Sequence, residues 1–260
     1  MREPSTPRRQ GVVATLAAVI LLGGALGQAD PTSAMRDLLE RGYYNAAVQL
    51  EGPNLIEEAP DDPDAHYLYA RAAWLTDDLA TAREQLERAV ALVDVAPPDY
   101  VHLNGLLLAA AGDVNSALGA LEDAFLRSRS YRHGMDWGMV AWRSGRLETA
   151  LDAYAEAART EAGAREPWPH LNRGRILARI GRTDEAKRAF ETAIEVFERS
   201  DPGGVRPPSP AYVEAFYRLG RLYQAAGDFA QAEQEYLAAR SIDPNYTPAT
   251  TALDEVRRLQ

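Results

Sequence analysis

The side chains of this 260-residue chain that could do chemistry are four histidines, 38 acidic residues and 28 basic ones, of which Lys187 is the only lysine. There is no cysteine, which removes disulfides, thiolate metal sites, cysteine nucleophiles and a lipidated N-terminal cysteine together. His66, His102, His133 and His170 each stand near the start of a helical segment. Helices packed side by side lie about 8–10 Å apart, a poor spacing for gathering three imidazoles on one ion, so the histidines read as helix-end or packing residues. The densest carboxylate cluster, "PDDPD" at 60–64, lies between helical segments, where capping and turn formation use acidic residues. No G-x-S-x-G elbow, Walker A loop, H-E-x-x-H pair or G-x-G-x-x-G turn occurs. No catalytic residue, metal or cofactor is expected, and the chemistry left is recognition: guanidinium groups that hold carboxylates, and rings that anchor apolar groups.

The elements that would position such groups are legible from a repeat. In "LGRLYQAAGDFAQAEQEYLAARSIDP", residues 219–244, a turn glycine is followed five residues later by alanine, then by a large residue and a second alanine. Turn residues recur at Gly42, Asp77, Gly112, Gly145, Gly181 and Gly227, with the first alanine at Ala47, Ala82, Ala117, Ala150, Ala186 and Ala232. The large residue is Leu86, Leu121, Tyr154, Phe190 or Tyr236, and the second alanine Ala89, Ala124, Ala157, Ala193 or Ala239. Spacing of i, i+4, i+7 puts these three on one helical face, and the residue ahead of them ends one helix so that another can begin. Seven residues before each turn after the first stands another small residue, Ala70, Gly105, Gly138, Gly174 or Gly220, where a paired helix can come close.

These residues resemble the tetratricopeptide repeat (TPR), most fully over 213–244, with Leu219, Gly220, Tyr223, Gly227, Phe229, Ala232, Tyr236, Ala239 and Pro244. The resemblance implies an all-α fold, a right-handed α-solenoid of about six helical hairpins. The repeats fall at approximately 31–60, 63–94, 98–129, 131–162, 167–200 and 213–244, with a C-terminal capping helix at 247–260. Departures are local: Asn104 and Arg173 stand at a usually apolar place, Asp77 replaces a turn glycine, and "EGPN" at 51–54 interrupts the second helix of the first unit. Two connections are long, 162–169 and 200–210, and the second inserts about a dozen residues. It reads as a passive insertion, since surface loops lengthen at small cost, with a binding loop or hinge as the alternatives.

In the family resembled, partners lie along a concave surface lined by the first helix of each hairpin. The matching places here are Tyr67, Arg71 and Trp74; His102 and Leu106; Arg132, Met135, Asp136, Met139, Trp142 and Arg143; Trp168, Asn172, Arg175 and Arg179; and Tyr217, Arg218, Arg221 and Gln224. The resemblance thus implies a protein or peptide partner held on a basic, aromatic face. Arg175 and Arg179, one helical turn apart, with Asn172 and the neighbouring Arg218 and Arg221, would clamp a carboxylate. With so little lysine, arginine usage also reflects codon composition, which discounts any single arginine. Two other readings stay open: a structural subunit of an envelope assembly using its convex face or ends, and a carbohydrate-processing envelope factor.

A formal net charge of −10 argues against a nucleic-acid binder built on phosphate neutralisation. At the N-terminus Arg2, Arg8 and Arg9 precede the uncharged stretch "GVVATLAAVILLGGALGQA", residues 11–29. Residues 1–29 read as an export signal, cleaved after small residues or retained as a membrane anchor, and the chain is expected in the periplasm or cell envelope.

Overall fold

The computed structural model describes residues 30–204 and 207–260, whose regular structure is all helical, with no strand among them. The expected export segment, 1–29, lies outside the described residues. None of the described helices is long and apolar enough to cross a membrane. The chain forms two compact units, up to Leu103 and from Asn104 onward, with the division inside one helix.

The first unit holds α1 (Ser33–Glu40), a second helical segment over 44–58, the hairpin α4 (Pro63–Leu75) and α5 (Leu79–Ala91), and the start of α6 (Pro98–Ala110). The second unit holds the rest of α6, α7 (Val114–Ser128), α8 (Tyr131–Arg143), α9 (Leu147–Arg159), α10 (Trp168–Arg179) and α11 (Thr183–Ser200). It ends with α12 (Pro210–Ala225), α13 (Phe229–Ile242) and the capping helix α14 (Thr247–Leu259). The chain is thus an α-solenoid of helical hairpins, as the repeat predicts.

One piece of backbone chemistry makes every hairpin. All six turn residues have positive φ, from 63° at Asp77 to 86° at Gly112. The next N–H reaches back to a carbonyl five residues earlier, as in Asp113 N to Leu108 O (3.0 Å) and Asp228 N to Tyr223 O (2.9 Å), which closes the first helix. That same residue begins the second helix. Asp78, Asp113 and Asp228 accept with their side chains from Thr81 N, Ser116 N and Gln231 N, while Arg146 and Arg182 at the equivalent places make no such cap.

The hairpins close on a small residue facing a large one sixteen residues on. A Cβ placed on Gly105 would lie 2.7 Å from Leu121, on Gly138 2.6 Å from Tyr154, on Gly174 2.4 Å from Phe190 and on Gly220 2.5 Å from Tyr236. The four large partners are fully or almost fully buried.

The first repeat differs from the reading of "EGPN" as an interruption. The segment stays helical: α2 (Tyr44–Ala46) passes through a π-helical turn, Ala47–Glu51, into α3 (Gly52–Glu58). A π turn adds one residue to the helical count. Leu55 therefore takes the buried place that Asn54 would occupy in an uninterrupted helix, and is 1% exposed while Asn54 faces solvent. The same shift brings Gly52 against Tyr69, whose ring lies 2.4 Å from a Cβ built there. The long insertion at 200–210 is partly absorbed by helix, since α11 and α12 run to 18 and 16 residues.

Two helical glycines should respond to the same substitution with opposite signs. Gly119 in α7 has nothing within 4 Å of an added Cβ, so Gly119→Ala should stabilise by up to about 1 kcal/mol through helix propensity. Gly220→Ala should lose about 1–3 kcal/mol net, because the methyl must displace a packed ring. Urea denaturation of the two variants checks both signs.

Candidate functional site

The second unit carries the residues from which a binding face can be built. Its first helices come together on one side: α10 touches α12, and α12 touches α14, while α11 and α13 pack behind them. Each first helix spends its glycine face on the helix behind it and leaves another face outward. On that side a continuous row of side chains runs from α8 to the start of α14.

Trp142, at the end of α8, lies under the Arg175 guanidinium of α10, with the Arg175 Cζ 4.9 Å from the ring centroid. Arg175 Nη1 also donates to Asn172 Oδ1 at 3.4 Å. Across the row, Glu214 of α12 faces Arg175 Nε at 3.6 Å and accepts from Arg218 Nε at 2.9 Å, with Arg218 Nη2 at 2.8 Å. The Arg218 guanidinium then reaches Tyr217, whose ring lies edge-on to Tyr246 at 5.7 Å and tilted against Tyr236 at 5.9 Å. Tyr236 Oη donates to Gln224 Oε1 at 2.6 Å, which fixes Gln224 to the second helix. Burial pushes the Tyr236 hydroxyl up to about 12, and burial with the nearby Glu214 carboxylate does the same for Tyr246. Both therefore stay neutral donors over the physiological range.

The sequence-derived residues separate into three groups. Arg175, Arg218, Asn172, Trp142 and Tyr217 are brought together in this row. Arg143, Arg179 and Arg221 are exposed and have no ion-pair partner among the described residues, and Met139, one turn before Arg143 on α8, is 38% exposed. Arg132 is exposed at the start of α8, and Asp136 half-buried one turn on. In the first unit Tyr67 is only 8% exposed, its ring stacked on Tyr100 at 4.6 Å, so it is packed where an exposed anchor is expected. Arg71 and Trp74 are half-buried, while His102 and Leu106 are buried. Met135 and Trp168, like Trp142, lie partly buried against the core of the second unit.

The clamp expected from Arg175 and Arg179 is thus arranged differently. Arg175 pairs across helices with Glu214, which Arg218 also holds, and Arg179 makes no contact with that carboxylate. Glu214 is the residue that the sequence reading missed. It stands at the α12 place equivalent to Trp168 in α10 and four residues before Arg218, an i,i+4 pairing that marks it in retrospect.

The histidines tie helix starts to their surroundings. His66 bridges Gln85 Oε1 and the Pro60 carbonyl, both at 2.8 Å, and the His133 ring contacts Ser128 Oγ at 2.8 Å. His170, half-buried, is held down to about 4 by burial, with Arg173 and Arg199 adding repulsion. Arg173, the charged residue at a usually apolar place, is half-buried, and its Nε finds no hydrogen-bond partner among the described residues. The carboxyls that burial raises, Glu51 and Glu235, lie on second helices and not in the row.

A family model described as tetratricopeptide repeat matches residues 34–97 and 102–167, half of the chain, and another of the same description matches 165–245. No curated protein matches the sequence. Among solved structures, PilW, described as a widely conserved type IV pilus biogenesis factor, is similar with TM-score 0.65 at 13% identity, over 88% of this chain and 100% of PilW. Pseudomonas aeruginosa pilF is similar with TM-score 0.62 at 18% identity, over 86% of this chain and 96% of pilF. YrrB, a TPR protein with an unusual peptide-binding site, gives TM-score 0.55 at 20% identity, over 77% of this chain and 96% of YrrB. At such identities the likeness is one of fold.

The depressed His170 makes a signed prediction. Its folded value of about 4 lies below the ordinary 6.5, so between those values the unfolded chain binds the proton and the folded chain does not. The stability His170 contributes is present above about 6.5 and is lost as the pH falls toward about 4. The stability gap between wild type and His170→Gln should therefore shift in favour of the variant across that window, as read by urea denaturation at matched pH.

Proposed function

The chain belongs to the tetratricopeptide repeat family, and from that premise we propose that it is a non-catalytic scaffold holding an extended segment of a protein partner against the α8–α10–α12 face. One observation carries this reading: the row from Trp142 through Arg175 and Arg218 to Tyr217 concentrates arginines and rings on one side of a chain whose net charge is −10. Arginine, tryptophan and tyrosine are the residues enriched at binding hot spots. The unpaired Arg143, Arg179 and Arg221 beside the row supply donors that the fold itself does not use. The description of YrrB as carrying a peptide-binding site supports a peptide-like ligand.

The cellular setting is part of the proposal. Arg2, Arg8 and Arg9 ahead of the uncharged 11–29 favour export, with the folded chain in the periplasm or envelope, either released or anchored through that stretch. The description of PilW as a pilus biogenesis factor supports an assembly role there. The second reading, a structural subunit that binds through its other face, has its own observation in Leu126, 50% exposed on the second helix α7.

A photo-crosslinking residue at Met139 in intact cells, followed by mass spectrometry, tests the two together. A protein partner should be captured at Met139, and capture should fall at least several-fold with Arg179→Glu and Arg221→Glu, which break no ion pair among the described residues. Capture that is unchanged by both reversals removes these arginines from the site. Capture at Leu126 and none at Met139 replaces the first reading with the second.

A further inference from the structure

The Arg175–Arg218 site already contains a carboxylate. Its three contacts with the arginines converge on one oxygen, Glu214 Oε1: Arg175 Nε at 3.6 Å, Arg218 Nε at 2.9 Å and Arg218 Nη2 at 2.8 Å. We propose that Glu214 is an internal stand-in for an acidic side chain of the partner, which binds by taking its place between Arg175 and Arg218. This rests on the scaffold reading above and adds to it the chemistry of the partner and a threshold for accepting it.

The geometry of the occupied site favours exchange. A guanidinium offers five donors in a planar fork, and its strongest pairing with a carboxylate uses two parallel bonds to two oxygens. Glu214 does not achieve this with either arginine. Its approach to Arg218 is one-sided, and at 3.6 Å its contact with Arg175 is an ion pair without a hydrogen bond. A carboxylate arriving from outside is free of the α12 backbone and can meet either fork squarely.

Each arginine also has a contact that does not involve Glu214. Arg175 is held by the Trp142 ring at 4.9 Å and by Asn172, and Arg218 reaches the Tyr217 ring at 5.8 Å. Groups already fixed in their bound arrangement lose less freedom on binding. The side chains of Arg175, Arg218 and Glu214 are 31%, 40% and 19% exposed, so the site is open to an incoming chain. Arg179 stands one turn beyond Arg175 and Arg221 three residues beyond Arg218, which leaves the neighbourhood cationic after Glu214 has been counted. Such a patch draws acidic segments and repels basic ones. Glu214 subtracts from that attraction, so a neutral or weakly acidic segment does not displace it.

The test uses the full chain with a fluorescein-labelled hexaglutamate carrying an amidated C-terminus, read by anisotropy at low salt. Glu214→Gln keeps the side-chain shape and removes the charge, and should tighten binding about three- to tenfold, the scale of one partly exposed charge pair. Adding Arg175→Gln to that variant should abolish the gain. In the wild type, the Arg218 Nε–H resonance should move saturably as hexaglutamate is added, a readout that holds even if the variants fold poorly. Unchanged or weaker binding by a folded Glu214→Gln overturns the proposal. So does a gain that survives Arg175→Gln, an Arg218 resonance that stays still, or equal tightening for hexalysine. The scaffold reading fails separately, through absence of capture at Met139.

Discussion

The second unit depends on a glycine meeting a ring or a leucine sixteen residues later. At Gly105, Gly138, Gly174 and Gly220 the first helix of a hairpin has no side chain, and the partner on the second helix lies within 3 Å of where a Cβ would sit. That approach lets helices of 12 to 18 residues, marginal alone in water, bury Tyr154, Phe190 and Tyr236 almost completely. It also fixes how each first helix is rotated. With its glycine face turned to the second helix, a flanking face is left to neighbouring first helices and to solvent. Trp142, Arg175 and Arg218, respectively four after, one after and two before their glycines, form a ridge running from about 40° to about 160° round the helix from the glycine face.

The local rules of this constraint are written in the sequence, because they concern residues close together in the chain. The turn residues with positive φ, the aspartates that cap second helices and the sixteen-residue pairing are fixed offsets within one hairpin, and a repeat shows fixed offsets directly. Even the substitution at Asp77 keeps the geometry, with φ 63°, at the cost of a conformation that suits glycine better. The first repeat was harder to read for a different reason. "EGPN" looks like a helix end because proline removes an N–H and glycine lowers helix propensity. The chain instead adds a residue through a π turn, and no pattern in residues 44–58 announces that Leu55 will replace Asn54 in the core.

Five members of the row, Trp142, Asn172, Arg175, Tyr217 and Arg218, stand at places that the sequence singles out, while their pairings do not follow from it. Helical position alone puts Asn172, Arg175, Arg218 and Arg221 on first helices. Which of them meet depends on how one hairpin lies against the next, and a shift of one helical turn would exchange Arg179 for Arg175 as the group facing α12. Glu214 was passed over because reading for a basic face selects arginines and rings. Its i,i+4 relation to Arg218 was visible, yet its contact with Arg175, 39 positions away, was not. Tyr67 shows the reverse error, since a place that is outward in one repeat is covered by the Tyr100 ring in another.

A carboxylate among arginines is ordinarily explained as neutralisation: two like charges brought together by packing are made tolerable by a third of opposite sign. That account explains why Glu214 is present, and it also limits what Glu214 contributes. A pair this exposed adds little to stability, because solvent screens it and the side chains lose freedom to make it. Arg175 is held as much by Trp142 and Asn172 as by the charge. A group that contributes little to the fold while half-filling a site is replaceable by any group that fills it better. The better occupant is defined by what Glu214 lacks: a second oxygen in the plane of a guanidinium fork, and freedom from the helix that carries it. An acidic side chain on an extended segment has both, and the exposed Arg179 and Arg221 give its neighbours somewhere to go.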